Sequence, residues 1–366
     1  MLGFGKTPII AGVLTGLLLA FVDARSQLGV LGEYATATVA WIEDAGIVRF
    51  SVAVVVMLFV TIAIHEAGHA IVGWLVGFRV HSIRIWRLQL EFPLRFSIFR
   101  GPMGGAGGWA ICTPETTDRL AARAGLMFFA GPAINLLTAL MVYVLPRSSG
   151  VLLPVFMTWS FAIGAINLLP LRTGPMFSDG YRILMLLFDR PRGERLLALL
   201  TLSKDLLDGV GAESLSPEFI RIATAVTDES SDTVSAHMLA YSAAFRQHRC
   251  DEAAHHLEIS LRYSSRTSKP YQAALMADAA VFNGRCRKDA AAAEAWLNDI
   301  PAKAAIPWHR SWAEAGVLHA RGERDALVAK LAAIERAIRD QGGPYQKIAL
   351  NAVDVWRKDL DTNWSG

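Results

Sequence analysis

Charge is scarce in this chain. Of its 366 residues only 19% are charged, while 53% are hydrophobic, a balance that excludes disorder and is too apolar for an ordinary soluble enzyme of this length. The net charge of +3 is equally small, which argues against a nucleic-acid partner. Cysteine is nearly absent as well. Cys112, Cys250 and Cys286 are an odd set at no metal-ligand spacing, so neither a disulfide framework nor a zinc ribbon is implied. What the chain does hold is long uncharged runs, gathered in its first half. From about Pro191 onward charge and alanine alternate as in a soluble helical protein. Two regions facing different solvents are expected.

Four apolar segments are candidates for membrane spans, which need about 20 residues each: Pro8 to Val22, Phe50 to Phe78, Ala124 to Leu145 and Val151 to Leu171. The first is short and follows Lys6, so it reads either as an uncleaved helix or as a signal peptide. Asp23-Ala-Arg-Ser after it is a poor cleavage site. Arg residues crowd the link between the second and third spans, from Arg79 to Arg123, and the stretch after the fourth, from Arg172 to Arg195. The excess of basic residues puts both on the cytoplasmic side. The loop from Asp23 to Asp44 holds Arg25 against four acids, and the link between spans three and four has only Arg147, so these lie outside.

Beyond about Leu196 the apolar residues return to helical spacing, and a repeat with a step of 36 residues is marked by Arg249, Arg285 and Arg321. Each marker sits in a small turn, after an upstream helix ending near Phe245, Phe282 or Leu318 and before an alanine-rich one. The pattern predicts three helical hairpins and loosely resembles tetratricopeptide-type repeats, a class that usually binds peptides or proteins. A plain helical bundle is the competing reading. Between spans two and three, Leu88 to Phe92 and Arg95 to Phe99 alternate apolar and polar around Pro93, which predicts a short β-hairpin at the membrane surface. Its free edge suits an unwound substrate segment, or else it is only structural.

Inside the second span stands His65-Glu66-Ala67-Gly68-His69, the H-E-x-x-H pattern. Residues four apart share a helix face, so His65 and His69 present imidazoles to one zinc ion, and Glu66 stands beside the open position as a general base. Three ionisable groups in a membrane helix are costly and mark a functional site by default. His65 lies about 22 Å below Phe50 at roughly 1.5 Å per residue, nearer the cytoplasmic face of a core about 30 Å thick. A third ligand must come from elsewhere. Asp179, in Phe177-Ser178-Asp179-Gly180 just after the fourth span, is the candidate, with Asp189 and Glu194 nearby; Gly180 suggests a tight turn aiming the carboxylate inward.

These residues together resemble the site-2 protease family of intramembrane zinc metalloproteases. Its signatures correspond here to His65–His69, then Phe129-Ala130-Gly131-Pro132-Ala133-Ile134-Asn135, then Asn167-Leu168-Leu169-Pro170 followed by Asp179-Gly180. The resemblance covers roughly residues 47 to 188. It implies one Zn2+ per chain on His65, His69 and Asp179, Glu66 as the catalytic base, and Asn135 and Asn167 as polar contacts that hold the substrate backbone or the site; helix packing is the alternative for both. One departure is the segment Leu171 to Ser178 before Asp179, where serine stands in place of the usual leucine. Gly174-Pro175 would break a helix there, and the insertion is expected to form a re-entrant turn that returns Asp179 to the metal.

The expected fold is an all-α polytopic membrane protein, about four transmembrane helices with a small membrane-surface hairpin (residues 1–195), carrying a soluble helical-repeat domain (residues 196–366). The expected activity is an intramembrane zinc endopeptidase acting on a single-span membrane protein near the cytoplasmic face of a bacterial inner membrane. Its C-terminal domain is expected to be cytoplasmic and to bind a protein or peptide. No nucleic acid is expected, and association of identical chains stays open. The alternatives are an inactive zinc-binding scaffold, which has no reason to keep Glu66, and a metal transporter, whose ligands would spread along several spans instead of converging at one level.

Overall fold

The computed structural model describes residues 43, 46–99, 107–144, 152–173, 176–302 and 306–363. The first apolar segment, the glycine-rich residues 101–106 and the Gly174-Pro175 pair lie outside them.

Helix α1 (Ile47–Leu75) is apolar all round. Val52, Val55, Val56 and Trp74 point away from the protein, and burial concentrates at its C-terminal half, where the two histidines sit. The second span was expected to reach Phe78, but the helix stops at Leu75. Gly77 takes φ 86°, the left-handed conformation that ends helices, and the chain turns directly into strand β1 (Phe78–Ile85). The predicted hairpin is present as β2 (Leu88–Glu91) and β3 (Arg95–Ile98). It is part of a larger antiparallel sheet in the order β3-β2-β1-β4, with β4 spanning Gly108–Pro114. Ser82 pairs with Glu91 and Ile85 with Leu88, while β1 also pairs with β4 through a bulge between Val80 and Ser82.

Helix α2 (Leu120–Val144) contains Pro132, and α3 (Leu152–Leu168) follows. Among the described residues α1 and Leu120–Tyr143 of α2 are long and apolar enough to cross a membrane, and the apolar part of α3 is shorter. Pro170 lies just beyond α3, which ends at Leu168, a little before the expected Leu171. The insertion after it is a two-stranded ribbon of β5 (Arg172–Thr173) and β6 (Met176–Phe177), with Arg172 opposite Phe177. This ribbon brings the chain to α4 (Asp179–Phe188). Phe78, Cys112, Leu120, Ala124 and Met127 form the buried core joining the sheet to α2, and Leu186 of α4 packs against them.

Helix α5 (Arg190–Leu207) runs through the boundary expected at 195/196. Arg195 is fully buried and paired with Asp228 at 3.0 Å, so this helix ties the two regions together. After α6 (Pro217–Thr224) come three helix pairs: α7 (Ser231–Arg246) with α8 (Cys250–Arg262), α9 (Lys269–Arg285) with α10 (Ala290–Asp299), and α11 (Pro307–Ala320) with α12 (Arg324–Gln341). α13 (Gln346–Asn363) closes the chain. At the crossing of α9 and α11 a Cβ on Gly284 would lie 2.0 Å from the Gly316 carbonyl oxygen, so only glycine permits this approach. Here the reading of the cysteines is corrected. Cys250 and Cys286 form a disulfide across 36 residues. Each follows an arginine marker, and stacking successive hairpins brings equivalent positions together with their Cα atoms 5.8 Å apart. Local spacing could not reveal that pairing. Cys112 is free and buried, and burial pushes its thiol up to about 12, too high for reactivity at neutral pH.

Candidate metal centre

Three elements meet at His65. α1 supplies His65 and His69, one turn apart on the face that α2 covers, and Glu66 on the side facing the sheet, all three buried. α4 supplies Asp179 at its first position. Asp179 Oδ2 lies 3.1 Å from His65 Nε2 and 3.4 Å from His69 Nε2, and the two imidazole nitrogens are 3.2 Å apart. Ligand atoms about 2.0–2.1 Å from a tetrahedral ion stand about 3.3 Å from one another. The triangle therefore has the size of one face of a zinc site, with two imidazoles, one carboxylate and a fourth position left over. Among the described residues this is the one group of three or more such side chains able to hold a metal ion. Asp189 and Glu194 are instead paired with Arg192 and Arg190.

The ring orientations are fixed from behind. His69 Nδ1 donates to the Met127 carbonyl at 2.7 Å, which keeps the proton off Nε2 and leaves that lone pair for a metal. Asn135 does the same for His65. Its carboxamide lies 3.2 Å from His65 Nδ1, and the residue is fully buried. The atom facing Nδ1 is the carboxamide nitrogen; turned by half a turn, an interchangeable orientation, the carboxamide offers its oxygen to the Nδ1 proton and leaves Nε2 free as a ligand. Asn135, expected to hold the substrate or the site, sits behind a histidine. Asn167 donates to the Ile163 carbonyl at 3.0 Å within its own helix and shows no hydrogen bond to the metal-binding side chains.

Glycine makes room for this convergence. A Cβ on Gly131 would lie 2.3 Å from His69 Nε2, and one on Gly68 would lie 2.8 Å from the Ala130 carbonyl oxygen. On the sheet side, Glu66 lies against β4. A Cβ on Gly108 would meet its carboxylate at 2.4 Å. Strand β4 therefore borders Glu66 directly. The sequence carried a signal for Gly131, inside the Phe129–Asn135 run, and for Gly108, in the glycine-rich run, but none for the Met127 carbonyl.

Ser178 accounts for the altered third signature. Its hydroxyl donates to the Leu169 carbonyl at 2.6 Å and accepts from the Leu171 and Tyr181 amides. It closes the β5–β6 ribbon and caps α4 at once. Gly180 is inside α4, not in a tight turn as expected; a Cβ there would lie 1.9 Å from the Leu168 carbonyl oxygen. Its role is to let α4 approach the end of α3, which sets the depth of Asp179.

Residues 53–151 match the family model of peptidase family M50. The M50 match takes in His65, Glu66, His69 and Asn135 and stops before Asn167 and Asp179. It supports a metallopeptidase of the site-2 protease kind, a zinc-dependent family of membrane proteases. No curated protein and no solved structure matches the chain.

Proposed function

We propose that this chain is an intramembrane zinc endopeptidase that hydrolyses a peptide bond within a transmembrane segment of a single-span protein, close to the cytoplasmic face. The observation carrying this reading is the His65–His69–Asp179 triangle, backed by Met127 and Asn135, with Glu66 adjoining it on apolar helix α1. A zinc ion held there supplies Lewis acidity and a water nucleophile at neutral pH. Glu66 would accept a proton at its carboxylate beside that site and return it to the leaving amine nitrogen. The two histidines are held in orientation by Met127 and Asn135 behind them. A helical peptide bond is shielded from attack, and the unpaired edge of β4, next to Glu66, offers an extended substrate strand a partner.

The basic residues flanking the spans support an orientation with residues 196–366 in the cytoplasm. The three hairpins support a protein- or peptide-binding role for that part. Elemental analysis of detergent-purified protein tests the centre: about one zinc per chain is expected in the wild type and none in Asp179→Ala. Glu66→Gln is expected to keep the zinc and lose cleavage of a membrane substrate. Zinc retained in Asp179→Ala, or wild-type cleavage by Glu66→Gln, would sink the assignment of that residue.

A further inference from the structure

Two arginines reach from α4 and α5 towards the first hairpin of the array, and they do different things there. Arg195 of α5 is fully buried against Asp228 and docks the array. Arg182 belongs to α4, one turn after Asp179. Its guanidinium lies over the Phe128 ring of α2, 5.5 Å from the centroid, and over the Phe177 ring of β6 at 5.9 Å, both within cation–π range. The same guanidinium stands 4.0 Å from Asp232 Oδ1, in the first turn of α7. One side chain thus touches α2, the ribbon and the array while sharing a helix with the third metal-binding residue.

Each contact bears on the metal-binding side chains. Phe128 follows Met127, whose carbonyl fixes the His69 ring. Phe177 ends the ribbon that leads into Ser178 and Asp179, and it stacks on Tyr181 with centroids 4.7 Å apart. α4 has ten residues, too few to hold an orientation without neighbours, and Gly180 sets only how closely it approaches α3. Residues three apart lie side by side on one helix face, so the Asp179 carboxylate and the Arg182 guanidinium turn together. Rotation of α4 about its axis would swing Asp179 off the two imidazoles, and it would also pull Arg182 off both rings. Asp232 holds the other end. It is buried, Arg182 is its one ion-pair partner among the described residues, and its Oδ2 has no hydrogen bond there. A buried carboxylate so placed is costly without a cation facing it, which draws the guanidinium to one position.

We propose that Arg182 is a positioning residue of the metal centre, and that Asp232 of the first hairpin acts on Asp179 through it. The array then belongs to the support of the zinc site, in addition to any partner that it binds. This inference rests on the zinc-site reading and adds a dependence that the reading does not require.

The test is the zinc affinity of the full chain in detergent, measured by chelator competition with helix content followed by circular dichroism. Arg182→Ala is expected to bind zinc about tenfold more weakly, the low end of the loss attached to supporting contacts around a metal. Arg182→Lys, which returns a cation to both rings, is expected to recover most of that loss. Asp232→Ala is expected to weaken zinc several-fold, and the double variant to be no weaker than Arg182→Ala alone, since residues that act through one contact are not additive. An acid in the first turn of α7 also stabilises that helix, but this role by itself leaves zinc affinity unmoved. Arg182→Gln and Asp232→Asn carry the same expectations if an alanine variant does not fold. Wild-type affinity in the folded Arg182 variant overturns the proposal while leaving the zinc site standing, and so does full additivity of the two single losses. A wild-type chain that takes up no zinc removes the zinc-site reading and this inference with it.

Discussion

A methyl group on Gly131 would sit 2.3 Å from His69 Nε2 and 2.9 Å from His65 Nε2, inside the contact distance of both metal-facing nitrogens. Gly131→Ala is therefore expected to leave the helices in place and abolish zinc retention, read as metal per chain beside a helix content unchanged by circular dichroism. Asn135 acts one bond further out. Asn135→Leu removes the acceptor for the His65 ring proton, and loss of such a supporting contact typically costs 10–100-fold in metal affinity, measurable by chelator competition. An unchanged affinity would return Asn135 to the substrate. At this scale the histidines and Glu66 were legible because a ligand pair four residues apart on one helix is a local pattern. The partner of His69 was not, because a backbone carbonyl leaves no trace in a sequence.

Among the elements, the β5–β6 ribbon governs the third ligand. Ser178 pins it at both ends and caps α4, and losing a serine cap costs about 1 kcal/mol. Ser178→Ala is expected to weaken zinc binding several-fold by loosening Asp179, with Ser178→Thr restoring it. Equal zinc affinity in all three proteins would show that Gly180 packing alone positions the ligand. The ribbon was foreseeable only as a re-entrant turn, since Gly174-Pro175 signals a break in helix and nothing about what the chain does next. β1 was hidden for a different reason. Its apolar residues continue the hydrophobic run of α1, and Gly77 was the one mark of the change from helix to strand.

At the scale of the whole molecule, the hairpin array carries buried histidines that titrate. Burial holds His237, His309 and His319 down to about 4, with His256 and His255 adding to the effect at His237 and Arg285 and Lys288 at His319. Unfolding lets them bind protons near their ordinary 6.5, so the stability they confer is complete above that pH and falls as pH drops from about 6.5 towards 4. Asp278 works in the opposite sense, since burial pushes it up to about 6, but it is one group against three. The urea midpoint followed by tryptophan fluorescence is expected to be lower at pH 5 than at pH 7. His237→Phe should narrow that gap, and an equal midpoint at both pH values would refute the account. The three hairpins could be anticipated from a 36-residue step, whereas α13 lying across them could not, because its partners Arg246 and Arg285 are far from it in the chain.

The link between Cys250 and Cys286 gives this array two different strengths in two different surroundings. Closing a loop of 36 residues stabilises the folded array by about 4 kcal/mol on the chain-entropy account, and glutathione-buffered cytosol removes such links while a periplasm preserves them. If residues 196–366 faced the cytosol, as proposed, the two thiols would be free in a growing cell and would join on lysis in air, so preparations made with and without reductant would contain proteins of unequal toughness. Alkylating intact cells before they are broken fixes the native state: two blocked cysteines place the array with the cytosol, and an intact bridge places it across the membrane, on the side opposite to the one that the arginine-rich loops indicate.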